Sequence, residues 1–388
     1  MGRHAYAPIF APTPSATHIY LPFPYFPMSF LDLFRQLRPL RHDDQTKLES
    51  IGKHLSSEEQ DIIYAAYRQR KLAIHFPTFG TGVVTDEAFP QLHLLAAGSH
   101  LEELAASINA KVRSKVEHKL FHRIADHPLH LSALLAPHLR IPAAKEAILL
   151  QIFSRERFHI LLAGDTGAEQ QLLHDAAALA PRASAAAFSR KKAAGAVFSA
   201  LQQADQGLCC LSGLQHLNNS EQAALASAME KGEAHPRGKP TLDARIKVLA
   251  AVSPRKSLAA EALPISAPLL RAFSLIFFLK KGKEDIPDAG QLSAADLALF
   301  QDFARFASSV SVQFPSALEH EVLAFVERLQ KKSRLSHPHL ISAVISMAQA
   351  LSRMHLADKV GKSELRQAMD IMEQSLAVQN VSAASRSR

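Results

Sequence analysis

The sequence predicts an α/β protein in which a doubly wound core is followed by a helical lid and preceded by a small, mainly helical region. Buried apolar runs near residues 160, 208, 246 and 275 alternate with segments of helical period. A glycine turn, Gly164-Asp165-Thr166-Gly167, separates the first apolar run from a helix. From about Ser293 onward only helical periodicity is present, which predicts four lid helices.

Composition indicates a globular protein. The 388 residues are 47% hydrophobic and 21% charged, enough to bury two or three cores. Because no uncharged run reaches the roughly 18 residues that span a bilayer, we expect no membrane partner and place the protein in the cytoplasm or on the nucleoid. Cys209 and Cys210 are adjacent, so they form neither a disulfide framework nor a zinc site, and we expect them in the core.

Charge gives only a weak indication of a nucleic-acid partner. The net charge is +8 and the pI about 9.4, but the excess is spread along the chain. The basic half of a helix predicted from about His100 to Ile124 is interpreted as a solvated face, with a DNA-binding ridge as the alternative. Twenty histidines include the helical pair His118 and His122, yet no carboxylates or cysteines converge on it. We therefore predict no metal site.

The amino-terminal part divides in two. Residues 1–27 are rich in proline and aromatics and are predicted to be a disordered leader, so that translation starting at Met28 is a hypothesis. Residues 28–120 are predicted to be a small helical region with Ser56 or Ser57 capping one helix. Within it we expect strands at Lys71–Pro77, Gly82–Val84 and Leu92–Ala97.

The turn at 164–167 has the form of a phosphate-binding loop. After Ile160–Ala163, backbone N–H groups at a helix N-terminus point outward, where the helix dipole favours an anion. A working nucleotide loop adds a lysine for the phosphates and a hydroxyl residue for magnesium. This loop has neither of these groups.

Several residues in and after this loop match a known family pattern: Gly164, Asp165, Gly167 and the run Gln171-Leu172-Leu173. They resemble the phosphate loop of the MCM replicative helicases, which are AAA+ motor proteins, with the typical pattern G-D-P-G-T-x-K-S-Q-L-L. The loop here is one residue shorter, and Glu169 and Gln170 stand where the lysine and serine belong. The resemblance covers roughly residues 121–378 and implies an AAA+ P-loop core with a helical lid.

The other catalytic positions that the resemblance implies are also replaced. Ser212 and Gly213 stand at the magnesium-holding aspartate and the glutamate, and Ser253 stands at the first sensor. Ala272 occupies the arginine-finger position, with Arg271 one place early. His339 and Ser346 align with the two lid arginines. We therefore assign no catalytic residue, and the remnant of the nucleotide pocket is Gly164, Asp165, Thr166, Gly167, Glu169, Gln170, Ser212, Gly213, Ser253 and Arg271.

Two basic segments remain as candidates for phosphate contact. Residues 231–240 stand at the family's DNA-contacting hairpin and carry Lys231, Arg237 and Lys239, although a solvated loop is an equal alternative. Arg190-Lys191-Lys192 could reach a phosphate in place of the missing lysine, but we favour a solvated loop.

The resemblance also sets the domain boundaries. It implies an MCM-like core at 121–292, a lid at 293–378 and a polar tail at 379–388. The family's amino-terminal zinc ribbon is excluded, because no cysteine precedes Cys209, and the short region argues against a complete oligonucleotide-binding barrel.

Two function classes follow. The first is a catalytically degenerate scaffold, or a subunit associated with DNA or with an active MCM helicase, that needs neither ATP nor magnesium. The alternative is an ATP-dependent DNA helicase subunit with an atypical nucleotide site. Replacing lysine by Glu169 turns an attraction of about 4 kcal/mol at ~4 Å into a similar repulsion, which favours the first class. Homo-oligomerisation and a gene copy without a role stay open.

Overall fold

A computed structural model describes residues 42–76, 78–79, 87–88, 90–95, 99–136, 139–164, 167–189, 196–234, 241–254, 263–279, 294–332 and 339–384. Within these ranges no helix is both long and apolar enough to cross a bilayer. The chain divides into two compact units: Met1–Thr78 with Ala88–Glu117, and Phe79–Glu87 with His118–Arg388.

The first unit combines helices with a strand pair. Its elements are α1 (His42–Gly52), α2 (Ser57–Arg68), β1 (Leu72–His75), β4 (Gln91–Leu94) and the first part of α3 (Ser99–Asp126), with the short strands β2 (Thr78–Phe79) and β3 (Glu87–Ala88) along the same stretch of chain. β1 pairs antiparallel with β4, the segment expected as the third strand. The other expected strand, Gly82–Val84, lies outside the described residues.

Helix α2 begins with a capping box at Ser56. The Ser56 hydroxyl accepts from Glu59 N at 3.3 Å, and the Glu59 carboxylate accepts from Ser56 N at 2.9 Å. Such a cap contributes about 1 kcal/mol, and it identifies Ser56 rather than Ser57 as the N-cap. The Tyr64 hydroxyl then ties α2 to α1 by donating to Leu48 O at 2.9 Å.

The basic half of α3 is partly neutralised by its neighbours. Lys111 pairs with Glu59, and Arg113 pairs with Glu117 one turn further along the helix. These pairs agree with the interpretation of this surface as a solvated face, since paired cations are less available to a phosphate backbone.

The second unit is built on a five-stranded parallel sheet. In chain order its elements are α4 (Pro142–Phe153), β5 (Ile160–Ala163), α5 (Ala168–Leu179), β6 (Ala183–Ala187), α6 (Ala196–Gln203), β7 (Leu208–Ser212), α7 (Asn219–Lys231), β8 (Glu233–Ala234), β9 (Leu242–Asp243), β10 (Lys247–Val252), α8 (Ala267–Ala272) and β11 (Leu275–Phe278). The strand order is β11-β5-β10-β7-β6. The four strands expected near residues 160, 208, 246 and 275 are present, and the sequence analysis missed the edge strand β6, whose alanine-rich sequence has low strand propensity.

Most of the sheet is buried on both faces, as parallel sheets require, and only the edge strand β6 has exposed residues. All residues of β5, β7 and β11 are buried, including Cys209 and Cys210, so the cysteines pack in the core as expected. Burial raises the pKa of the Cys209 thiol to about 12, which keeps it protonated.

The lid consists of α9 (Ala294–Ser309), α10 (Glu319–Lys332), α11 (Leu340–Met354) and α12 (Lys362–Ala384), close to the four predicted helices. Helix α12 covers the edge strand β11. The Ser375 hydroxyl accepts from Ile276 N at 3.0 Å and donates to Ile276 O at 3.2 Å. One lid side chain thus satisfies backbone groups that an edge strand would otherwise expose.

Two basic side chains near the amino ends of the strands donate hydrogen bonds to carbonyl oxygens at the C-termini of helices. Lys247 Nζ donates to Ile152 O at 3.1 Å and to Ser154 O at 2.8 Å, at the end of α4. Arg155 donates to Ser308 O and Ser309 O at the end of α9. Helix C-termini carry partial negative charge, so these basic residues are accounted for by the fold without a nucleic-acid partner.

A buried histidine joins β5, β10 and α7. Val248 N donates to His159 Nδ1 at 3.1 Å, so the proton of the neutral ring is on Nε2, which donates to Met229 O at 3.1 Å. Burial lowers the pKa of His159 from 6.5 to about 3. The folded protein therefore holds this imidazole neutral, whereas the unfolded chain protonates it below pH 6.5.

We predict that stability falls with acidification because of His159. Its contribution is complete above pH 6.5 and is lost progressively between pH 6.5 and 3, with a slope of at most about 1.4 kcal/mol per pH unit. The free energy of unfolding, measured by denaturant titration at several pH values, should show a shallower slope in His159→Gln than in the wild type. Equal slopes in the two proteins would contradict this role.

Candidate nucleotide-binding site

The glycine turn leaves the sheet between two neighbouring strands. Gly164 N donates to Val252 O of β10 at 3.1 Å, and Leu279 N, just after β11, donates to Ala163 O at 2.8 Å. Gly167 then has φ +80° and is the N-cap residue of α5. The left-handed backbone at Gly167 favours glycine and turns the chain into the helix, as a phosphate-binding loop requires. Asp165 and Thr166 lie outside the described residues.

Glu169 folds back over the start of this loop. It is only 4% exposed, and its Oε2 lies 3.1 Å from the position that a Cβ on Gly164 would occupy. A carboxylate at the first turn of α5 interacts favourably with the helix dipole. The same negative charge lies beside the place where phosphates would have to bind, and the neighbouring Gln170 points to solvent.

The end of β7 offers no metal ligand of the usual kind. Ser212 is buried, and its backbone oxygen accepts from Phe188 N at 2.9 Å. Gly213 has φ +76°, and a Cβ there would lie 2.5 Å from Phe188 O. The backbone at position 213 therefore leaves no space for any side chain, so a glutamate could not stand there without a local rearrangement.

The sensor and finger positions have no cation directed at the loop. Ser253 N donates to Gln215 Oε1 at 3.4 Å, and Ser346 is buried, with its hydroxyl donating to Ser342 O at 2.6 Å. Arg271 is exposed and its Nε donates to Ala267 O of its own helix at 3.4 Å, whereas Ala272 is buried. His339 is the N-cap residue of α11.

The structure brings most of the predicted pocket residues to one edge of the sheet. Gly164, Glu169, Ser212, Gly213 and Ser253 lie at or beyond the carboxyl ends of β5, β7 and β10, where ligands bind in open α/β sheets. Arg271 lies before β11, at the opposite edge.

Sequence reasoning missed Phe188 and Gln215 at this site. Phe188 follows the unpredicted strand β6, and its carbonyl fills the space beside Gly213. No local pattern marks either residue, because both act through tertiary contacts with distant segments.

Two short strands flank the candidate DNA-contact segment. Lys231 is exposed at the end of α7, and β8 pairs antiparallel with β9 with Ala234 opposite Leu242. Residues 235–240 thus connect two paired strands, although Arg237 and Lys239 themselves lie outside the described residues. The segment 190–192 also lies outside them.

The sequence analysis predicts no metal site at the helical histidine pair. The His118 and His122 rings lie 4.8 Å apart and are exposed. Among the described residues, no group of three or more histidine, cysteine or carboxylate side chains is arranged to hold a metal ion.

A parallel five-stranded sheet with a glycine turn between β5 and the N-terminus of α5 defines the P-loop class of α/β proteins. Within that class, residues 106–294 match the family model described as MCM P-loop domain. The chain belongs to the MCM family.

Individual MCM proteins are similar to this chain at low identity. The DNA replication licensing factor mcm7-B of Xenopus laevis is 25% identical over 273 residues, which cover 57% of this chain and 37% of that protein. The minichromosome maintenance protein MCM of Saccharolobus solfataricus is 25% identical over 284 residues, covering 59% and 41%. The chain therefore spans well under half the length of these relatives.

A solved structure shows the same fold. A full-length MCM homolog from Methanopyrus kandleri matches with a TM-score of 0.56 and 22% identity, over 68% of this chain and 62% of that one. The predicted α/β P-loop core with its helical lid and small helical amino-terminal region is thus confirmed as the fold of this chain.

Proposed function

We propose that this chain is a catalytically degenerate MCM-family AAA+ protein that works in DNA replication as a non-hydrolysing scaffold or as a subunit associated with DNA or with an active helicase. It is related to replication licensing factors. In this proposal it keeps the frame of a nucleotide site, whereas Glu169, Ser212 and Gly213 stand where the groups that do the chemistry would be. In this function the protein needs neither ATP nor magnesium.

The observation that carries the proposal is the backbone at Gly213. A position held at φ +76°, with Phe188 O 2.5 Å from the place of a Cβ, has lost the room for a catalytic side chain as well as the side chain itself. Glu169 supports the same conclusion, because a carboxylate buried beside Gly164 repels phosphates and stabilises the helix start. Both features favour a stable fold over a working motor.

ATP hydrolysis tests the proposal. Purified protein should hydrolyse no ATP above background, with or without DNA, since Ser212, Gly213 and Glu169 supply no group that would polarise water or neutralise the γ-phosphate. Arg271→Ala and Lys191→Ala are the matched controls for the basic groups that could replace the lost ones. Turnover that either change abolished would establish the alternative, an MCM helicase subunit with an atypical nucleotide site.

Measurements of DNA binding distinguish a DNA partner from a protein partner. Arg237 and Lys239, in the connection between β8 and β9, are the best remaining candidates for phosphate contact. Each lost contact should lower the salt-dependence slope by about 0.9 on B-DNA, with little change in sequence preference. We would measure duplex and single-strand affinity at several salt concentrations for the wild type and for Arg237→Ala/Lys239→Ala.

The outcome directs the next step. An unchanged slope in the double variant, or no binding by the wild type at low salt, would contradict the DNA-contact assignment. The partner would then be a protein, either a second copy of this chain or an active MCM helicase, and co-purification would identify it. Arg245→Ala, at an exposed arginine on the amino edge of the sheet, is the matched control for a simple loss of charge.

A further inference from the structure

Two histidines that are 18 residues apart in sequence lie diagonally across the strand pair of the first unit, with their rings at 82° to each other. In the β1–β4 register, His75 lies opposite Gln91 and Ala73 lies opposite His93, which places all four side chains on one face. His75 and His93 are exposed, and their ring centroids are 5.5 Å apart. Cross-strand pairing has therefore placed two imidazoles side by side.

The pair opens onto a cavity. A surface cavity of about 500 Å³ is lined by His75, Phe76, Gln91, Leu92 and His93. His75, Gln91 and His93 thus border one solvent-accessible space, which has room for an ion and its water ligands. The ring contact and the cavity are independent observations that point to the same place.

The separation of the rings matches two imidazoles that share one metal ion. Metal–nitrogen bonds of about 2.0–2.1 Å place the ion roughly 3.2 Å from each ring centroid, so a tetrahedral ligand angle gives centroids about 5.2 Å apart. The observed 5.5 Å differs from that value by a few tenths of an ångström, and side-chain rotation can supply such a difference.

We propose that His75 and His93 form a binding site for one divalent transition-metal ion, with water completing the coordination and Gln91 beside it. Imidazole suits Zn²⁺, Ni²⁺ and Cu²⁺, with Cu²⁺ bound most tightly. Two protein ligands leave coordination positions open, so the ion can exchange or accept a further ligand. The proposed metal site does not depend on the proposed function.

This pair differs from the helical histidine pair, at which the sequence predicts no metal site. His118 and His122 have rings 4.8 Å apart on one helix, and the His118 ring also packs edge-on against Phe306 at 5.6 Å. The pair on β1 and β4 borders the cavity described above. The two pairs make a matched comparison within one protein.

The test is a titration of the full chain with Cu²⁺ and with Zn²⁺. Binding would be followed by electron paramagnetic resonance for Cu²⁺ and by competition with a chromophoric chelator for Zn²⁺. His75→Ala and His93→Ala should each remove the same single equivalent of metal, and the double variant should lose no more than either single variant. Non-additivity of this kind identifies two groups that act on one ion.

Three controls keep the result interpretable. His118→Ala/His122→Ala should retain the equivalent that the other changes remove, and circular dichroism should show that each variant is folded. Binding should weaken on acidification, because protons compete with the metal ion for the ligand nitrogen atoms. Unchanged stoichiometry in both single variants, or losses that add in the double variant, would overturn the proposal and leave the pair as a ring contact only.

Discussion

Replacing Glu169 by lysine and Gln170 by serine should give the loop measurable affinity for ATP without restoring hydrolysis. The Glu169 carboxylate lies beside Gly164, so the change converts a charge that repels phosphates into one that attracts them. Each such interaction is about 4 kcal/mol at ~4 Å and intermediate dielectric, and solvent screening reduces it. We expect ATP affinity to rise by roughly 10- to 100-fold, or about 1.4–2.8 kcal/mol, measured by calorimetry.

A series of substitutions that changes the charge at position 169 in steps tests this prediction further. Glu169→Gln removes the repulsion without adding an attraction, so its affinity should lie between those of the wild type and of the lysine variant. Glu230→Lys makes the same change of net charge at an exposed position on α7 and should leave ATP affinity unchanged. If the wild type bound ATP as tightly as the lysine variant does, Glu169 would not be the group that prevents phosphate binding.

Hydrolysis should stay absent in the lysine and serine variant, because Ser212 and Gly213 remain. Serine and glycine can neither hold magnesium as the family's aspartate does nor polarise water as its glutamate does. Turnover above background in this variant would mean that another group in the chain supplies these functions.

Substitution at Gly213 should have the largest effect on stability. Gly213→Ala places a Cβ 2.5 Å from Phe188 O and holds a non-glycine residue at φ +76°. Left-handed strain costs about 1 kcal/mol and a backbone clash adds about 1–3 kcal/mol, so we expect a loss of about 2–4 kcal/mol in the free energy of unfolding. Gly213→Glu, combined with Ser212→Asp, should be at least as unstable and should restore no hydrolysis.

Gly167 supplies the matched control for Gly213. It has a similar φ of +80°, but a Cβ there would meet nothing within 4 Å among the described residues. Gly167→Ala should therefore cost only the strain, about 1 kcal/mol. Denaturant unfolding of both variants separates clash from strain, and equal losses would show that Phe188 O does not restrict position 213.

Much of the fold could be predicted because its signals are local. The run Ile160–Ala163, the glycines of the turn and the helix that follows them lie within about twenty residues, and the structure places them as expected. The four lid helices were predicted because the 3.6-residue period persists over several turns, although the last of them runs further than its pattern indicated, to Ala384. Strand β6 was missed because five residues of alanine and serine carry no strand signal.

The residues of the candidate site could be predicted from the sequence, but their arrangement in space could not. The sequence shows that Glu169, Ser212 and Gly213 replace the residues that the resemblance implies, and this inference remains a prediction about chemistry. It does not show that the Glu169 side chain is buried with its Oε2 beside Gly164, because burial depends on how the helix packs against the sheet. Nor does it show that Phe188 O occupies the space at position 213.

Sequence by itself determined the family and the alternation of the main strands and helices, since both are written in residues that are close together in the chain. Tertiary structure alone decided which edge of the sheet collects the predicted pocket residues, how Gly213 is confined by Phe188, and that the His75 ring lies beside the His93 ring. The physical reason is that these contacts join segments whose separation in sequence carries no periodic signal. Strand register and backbone dihedrals set them, and both are fixed only when the whole sheet and its covering helices pack together.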